Sequence, residues 1–281
     1  MNSLSDTPAG YEVVIRPRAA ISLADARDLW RYRELLWTLA LRDVRVRYKQ
    51  AALGAAWALL QPLSQMLIFT VLFNRFAGIR ADSGIPYPLF CFSGLVIWTL
   101  FANGLNHASD SLVANSNVIS KVYFPRAVVP LASVLAAGVD FLLGFALLLG
   151  MLPFFHVSLH LTMLWCLPLA FVAGAGAFAC GLWLSAINLQ FRDVRYALPF
   201  VLQLLIFVTP VFYSASLIPA KYRALLDLNP MTAIIDSFRA ALIGAPMAWT
   251  RLGLSLFLVG VVGVTGFLYF RRMEQTFADQ V

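Results

Sequence analysis

The apolar positions of this chain gather into six long runs separated by short polar segments: Leu53–Ala77, Pro86–Ala108, Ala127–Phe155, Leu161–Ile187, Ala197–Tyr213 and Leu252–Phe270. About twenty helical residues cross roughly 30 Å of hydrocarbon, so the pattern predicts an all-α membrane protein with six transmembrane helices. The fifth run is the short one and carries Pro199 and Pro210. It predicts a tilted or kinked span, or one helped by a re-entrant neighbour, which needs protein or a cavity to satisfy its backbone.

Ahead of the first run the pattern is different. Residues 1–21 are polar and irregular and read as a tail. Residues 22–52 read as an amphipathic interface helix: Ser22 and Asp25 fit an N-terminal capping box, and Trp30, Trp37, Leu41, Val44 and Tyr48 fall on one helical stripe. Arg27, Arg31, Arg42, Arg45 and Lys49 crowd the other faces, the arrangement a helix needs at a membrane surface. The stretch Arg42–Pro62 then passes from crowded positive charge straight into the first apolar run, which is expected to stay as an anchor. Residues 53–270 form the six-span domain, and 271–281 a tail expected in the cytoplasm.

Between the runs, three segments are informative. Asp110–Arg126 contains NVISKVYFPR, an amphipathic piece stopped by Pro125, and Asn188–Tyr196 is short and charged. Ser214–Arg251 is too apolar for a plain loop. Within it, Asn229-Pro230 makes an N-cap and first-turn pair, Met231, Ile234, Ile235 and Phe238 an apolar stripe, and Gly244 a stop. Short external helices between spans five and six are therefore expected.

Composition narrows the class. The 281 residues are 60% hydrophobic and only 12% charged, against roughly 25% charged in soluble domains. The net charge of +7 belongs to loops rather than to nucleic-acid binding. With the N-terminus inside, fifteen of the 21 Lys/Arg fall on cytoplasmic segments, so both termini are expected in the cytoplasm. Cys91, Cys166 and Cys180 lack metal or redox spacing, and His156 with His160 lacks a third ligand, so no metal or cofactor is expected on this chain.

No phosphate-binding G-x-x-x-x-G-K-[ST] loop, nucleophile elbow or zinc-protease motif occurs in the sequence. A six-span chain without its own engine is a channel, an ion-coupled carrier, a membrane enzyme, or the membrane half of a transporter driven by another chain. A membrane glycosyl- or acyltransferase would need clustered acids or histidines at the surface, and the acids here are scattered. Asp140 is the one acid deep inside a run. It costs about 2.5–3.5 kcal/mol there on insertion scales and reads either as a coupling group or as a structural acid near Ser133. Gln61, Ser64 and Gln65 in the first run, and Asn103, Asn106 and His107 in the second, either line a hydrated path or hold helices together. Ala173, Ala177 and Gly181 form a small-residue packing seam. Trp98 with Phe101, and Phe200 with Phe207, recur at helical spacing; such aromatics suit either a glycan path or the lipid face.

Several motifs in order carry a resemblance. Arg42-Asp43, Arg47-Tyr48-Lys49, Leu53-Gly54, Trp57 and Pro62, then Asn117–Pro130, Phe191–Tyr213 and Asn229-Pro230-Met231, resemble the type-2 ABC exporter permeases, and within them the polysaccharide branch that exports O-antigen, capsule and teichoic acid chains. The resemblance implies a permease of the bacterial inner membrane, a homodimer paired with two copies of a separate nucleotide-binding ATPase that uses ATP and Mg, and a lipid-linked polysaccharide as cargo. Another lipid-linked or hydrophobic cargo is the alternative. It implies coupling to the ATPase through Val118, Ile119, Lys121, Val122, Tyr123 and Phe124. Arg42, Arg45, Arg47 and Lys49 would meet a headgroup at the entrance, or anchor phospholipid. Trp57, Gln61, Gln65, Trp98, Phe101, Phe200, Phe207 and Tyr213 would line the path, and the external helices after Tyr213 would contribute to an outer gate.

Overall fold

Helix is the only way an apolar run can satisfy its own backbone in lipid, and the computed structural model is built of helices accordingly. It describes residues 29–49, 56–76, 78, 84–122 and 124–274. The predicted tail, the Ser22–Asp25 cap, Leu53-Gly54, Tyr123 and the C-terminal residues 275–281 lie outside that set.

In chain order the helices are α1 (Arg33–Lys49), α2 (Ala56–Phe69, widening to a π-type turn over Thr70–Phe76), α3 (Tyr87–Ala114), the single turn α4 (Ser116–Ile119), α5 (Val128–Phe154), α6 (Cys166–Gln190), α7 (Val194–Val208), α8 (Ala220–Asp227), α9 (Pro230–Ile243) and α10 (Trp249–Glu274). Among the described residues, five stretches are long and apolar enough to cross a membrane: Ala56–Phe76, Tyr87–Ala114, Val128–Phe154, Leu161–Gln190 and Trp249–Glu274. The predicted fifth span is the shorter α7, fifteen residues long. It stops at Val208 because Pro210 cannot continue the hydrogen-bond ladder, and the chain turns through Thr209–Phe212 instead.

The helices outrun the apolar runs at one end. α3 continues to Ala114 and α6 to Gln190, past the predicted Ala108 and Ile187. At 1.5 Å per residue α3 is about 42 Å long, roughly 10 Å more than the hydrocarbon needs. The excess packs in a second, smaller core around Leu39, Leu112, Phe124, Val128, Ala132, Ala186 and Phe270. Hydropathy detects only the lipid-level part of such a helix.

α3 is the central post, buried along almost its whole length between α5, α6 and α9. The predicted seam is present: Ala173, Ala177 and Gly181 are buried on α6. A methyl at Gly181 would stand 2.6 Å from the Ala108 Cβ, and one at Gly104 3.2 Å from the Ala177 Cβ, so the two helices meet without room for side chains. α2 and α7 lie at the periphery, with only Pro62 and Met66, and Leu198 and Leu202, buried. The expected external helix is α9. Asn229 Oδ1 accepts from the Met231 N–H at 3.1 Å, its apolar stripe is fully buried, and Gly244 closes it in the left-handed region at φ 72°.

Replacing Gly181 by Leu inserts a side chain where Ala108 already sits. The expected result is a loss of about 1–3 kcal/mol, read as a lower unfolding temperature of the detergent-solubilised protein; an unchanged melting curve would contradict close α3–α6 packing.

Candidate functional site

α1 is held against the C-terminal end of α3 and the N-terminal half of α5 by one continuous stripe. Its upper part is apolar: Leu39 and Ala40 are buried, and Tyr32, Leu35 and Leu36 pack beside them. One and two turns further on the same face become charged. Arg42 donates to Asp43 Oδ1 at 2.9 Å and to Asn115 Oδ1 at 2.6 Å, and Ser133 Oγ donates to Asp43 Oδ2 at 3.4 Å. Arg47 then forms an ion pair with Asp140, and the Tyr48 hydroxyl donates to the other oxygen of the same carboxylate. Burial, followed by that hydrogen bond, raises the Tyr48 phenol well above its ordinary value, so it stays a neutral donor.

Two features were not legible in the sequence. Asp140 does have a basic partner, but it comes from outside the spans, ninety-three residues earlier in the chain. Both carboxylate oxygens are engaged, which favours the structural-acid reading. The buried stripe of α1 is also not the one that contains its tryptophans. Trp37, beside that face, and Trp30, just before the helix, remain exposed, while the polar contacts to Asn115 and Asp140 fix the rotation of the helix. Of the four entrance cations, Arg42 and Arg47 are spent on these contacts, and Arg45 and Lys49 project outward.

Beside Asp140 a small cleft lies between α2, α3 and α5, walled by Gln61, Thr99, Asn103, Val96 and Phe141. Of the polar residues in the first two runs, Gln61 and Asn103 therefore meet at one level, as the hydrated-path and helix-glue readings both require.

The segment Asn115–Phe124 forms a knuckle below α3. Its root is fixed, since Ile119 and Phe124 are buried in the smaller core. Its tip is open: Lys121 and Val122 are exposed and Val118 is half-buried. The six predicted coupling residues thus divide into a packed root and a presented tip, with Tyr123 outside the described residues. Nearby, Arg126 Nη1 donates to the Glu274 carbonyl at 2.6 Å, tying the end of α10 to the base of the knuckle.

The expected path residues separate as well. Trp98 and Phe101 are 3% and 6% exposed and belong to the core of the subunit. Phe200 and Phe207, at 62% and 51%, stand on the open face of α7, and Trp57 and Gln61 are exposed on α2. Gln65 is half-buried. Tyr213 folds back, its hydroxyl donating to the Phe207 and Val208 carbonyls. The C-terminal ends of α2 and α7 meet in an aromatic cluster in which Phe69 stacks on Phe212 at 3.6 Å and approaches Phe207 at 6.1 Å. Phe69 and Phe212 were not singled out from the sequence. They belong to the same apolar runs as many lipid-facing rings, and only the turn after α7 brings them together.

Residues 34–243 match the ABC-2 type transporter family, and the chain belongs to that family. It is 27% identical to the O-antigen export system permease protein RfbA of Klebsiella pneumoniae, over 88% of this chain and 94% of the relative. It is 31% identical to the protein of the same name from Myxococcus xanthus, over 76% and 82%. The polysialic acid transport protein KpsM of Escherichia coli is 25% identical over 72% and 79%. The chain is thus a multi-pass membrane protein of transporter type, and its match begins within α1 and ends at the last residue of α9.

Because Asp140 answers both Arg47 and Tyr48, Asp140→Asn leaves a half-buried guanidinium without its counter-charge. The expected loss is about 1.5–3 kcal/mol. A double variant with Arg47→Gln should lose less than the two single losses added, measured by thermal unfolding; strict additivity would mean that the pair does not hold α1 to α5.

Proposed function

We propose that this chain is the permease subunit of an ATP-driven exporter that moves a lipid-linked polysaccharide of the O-antigen or capsule type outward across the bacterial inner membrane. The observation that carries the proposal is the ordered likeness to polysaccharide export permeases, which runs from α1 through α9. The knuckle supports a separate nucleotide-binding subunit as the source of energy. A fixed root with an exposed tip passes motion in either direction without deforming, as a seat for a partner should.

Two copies would pair through the open faces of α2 and α7. In one subunit these faces expose Trp57, Phe200 and Phe207, rings that pack on sugar C–H faces without fixed hydrogen bonds. The glycan would advance between the copies. Arg45 and Lys49, outward-facing on α1, are the cations placed to meet a phosphate-bearing headgroup at the cytoplasmic mouth. Both termini lie in the cytoplasm in this reading, as the loop charges favour.

The deciding experiment is purification of the chain with its candidate ATPase. Expected are a stable complex and ATP turnover that responds to the permease; a chain that neither binds nor regulates an ATPase would end the proposal. Lys121→Glu, a charge reversal at the knuckle tip, should weaken assembly or lower transport per ATP. Unchanged turnover and export would remove the knuckle from the coupling path.

A further inference from the structure

The turn after α7 is held in an unusual way. Thr209, Pro210, Val211 and Phe212 are all buried, and each is gripped by a side chain from another element. Asn229 Nδ2 donates to Thr209 Oγ1 at 2.8 Å. Arg239 Nη1 donates to the Pro210 carbonyl at 2.8 Å, and its Nη2 to the Val211 carbonyl at 2.6 Å. The Tyr87 hydroxyl donates to the Phe212 carbonyl at 2.7 Å. Two of these elements, α9 and the start of α3, are themselves core.

Arg239 is the centre of the grip. It is 4% exposed, its guanidinium lies 3.6 Å over the Phe90 ring, and Asp236 is at 3.8 Å. Space for it exists because residue 94 on α3 is glycine: a methyl there would stand 2.4 Å from Arg239 Nη2 and 2.9 Å from the Val211 carbonyl. The two terminal nitrogens of Arg239 are answered by those carbonyls, while Nε is buried without a hydrogen-bond partner among the described residues. A buried charge is costly where its donors go unanswered, so the guanidinium holds the carbonyls it has.

At its cytoplasmic end α7 is held differently. Arg195, 54% exposed, reaches Asp110, 27% exposed, at 3.7 Å, a part-exposed contact worth less than an enclosed one. The middle of α7 buries only Leu198 and Leu202. One end of this peripheral helix is therefore anchored in the core and the other is loosely stayed.

We infer that Arg239 is a positioning residue of the transport path. It pins the Thr209–Phe212 turn, and with it the Phe69–Phe212 stack, to α9 and α3, so that α7 pivots about a fixed outer end. Of the two external helices, α9 is then part of the frame. α8 is joined to α10 by the Asp227–Arg251 pair at 2.7 Å, and the same Arg251 reaches Asp236 of α9 at 3.4 Å. The inference rests on the transport reading for its functional consequence, and on the clamp alone for its structural one.

Hydrogen exchange on the full-length chain in lipid nanodiscs, with its ATPase bound, tests both. Arg239→Met and Gly94→Ala attack the clamp from opposite sides. Each should speed exchange across residues 205–213 at least about tenfold, the factor expected for one lost charge-assisted hydrogen bond, and spare the centre of α9. Each should also reduce surface polysaccharide exported per ATP hydrolysed several-fold, with Arg239→Lys intermediate. Combining Gly94→Ala with Arg239→Lys should cost less than the sum, because lysine lacks the Nη2 that the new methyl strikes. Unchanged exchange at 205–213, or exchange that rises with no change in export per ATP, would overturn the inference. If Arg239→Met fails to reach the membrane, Gly94→Ala and Arg239→Lys decide by the same two readouts. If the wild-type complex exports no polysaccharide while the exchange pattern holds, the cargo reading fails and the clamp stands.

Discussion

A carboxylate thirteen positions into a membrane helix must be answered, and the way Asp140 is answered shapes the half of this protein around α1. Its partners, Arg47 and Tyr48, come from α1. That choice fixes the rotation of α1 and sets its course along the first turns of α5. It also uses up a cation that would otherwise face a headgroup. The cleft holding Gln61 and Asn103 opens at the same level. A hydrophobic pair in place of Asp140 and Arg47 would pack as well and cost less to bury, but it would not specify register. Here a single ionic contact sets how far α1 rises along α5.

The outer end follows a similar logic with a different balance. At Arg239 the charge is enclosed, with Nη1 and Nη2 answered by backbone carbonyls, a ring face over the guanidinium, and Nε left without a hydrogen-bond partner among the described residues. At the other end of α7 the Arg195–Asp110 pair is partly open to solvent, with Arg195 54% exposed. The same chemical interaction is strong in one place and weak in the other, because water screens only one of them. A frame of α3, α5, α6 and α9 thus carries two peripheral helices, α2 and α7, whose open faces carry the aromatic side chains. A transporter needs this division, since a path can widen only where helices are not locked into one core.

The likeness to export permeases and the physical reading meet at particular residues. The knuckle was visible as an amphipathic piece ended by Pro125, and the structure gives that amphipathicity a meaning: Ile119 and Phe124 inward, Lys121 and Val122 outward. The α9 cap and stop were equally legible, because Asn-Pro and Gly act through local backbone geometry. Arg239 was counted among the loop cations. A signal was present, since position 239 lies four residues after Ile235 on the stripe that becomes buried, and a charge on an apolar stripe needs an explanation.

The sequence by itself determined the helical class, the places of the membrane runs, the amphipathic lead-in, and the ends of α9. All of these depend on periodicity, on run length or on the conformational limits of Pro, Gly and Asn, which act within a few residues. Tertiary structure alone decided which cations are engaged and which rings are exposed. Arg47 finds Asp140 across ninety-three residues, Trp98 and Phe101 turn into the core, and Phe69 meets Phe212. Nothing in hydropathy separates a ring facing a helix from a ring facing lipid, because both environments are apolar. Only the packing of one helix against another distinguishes them.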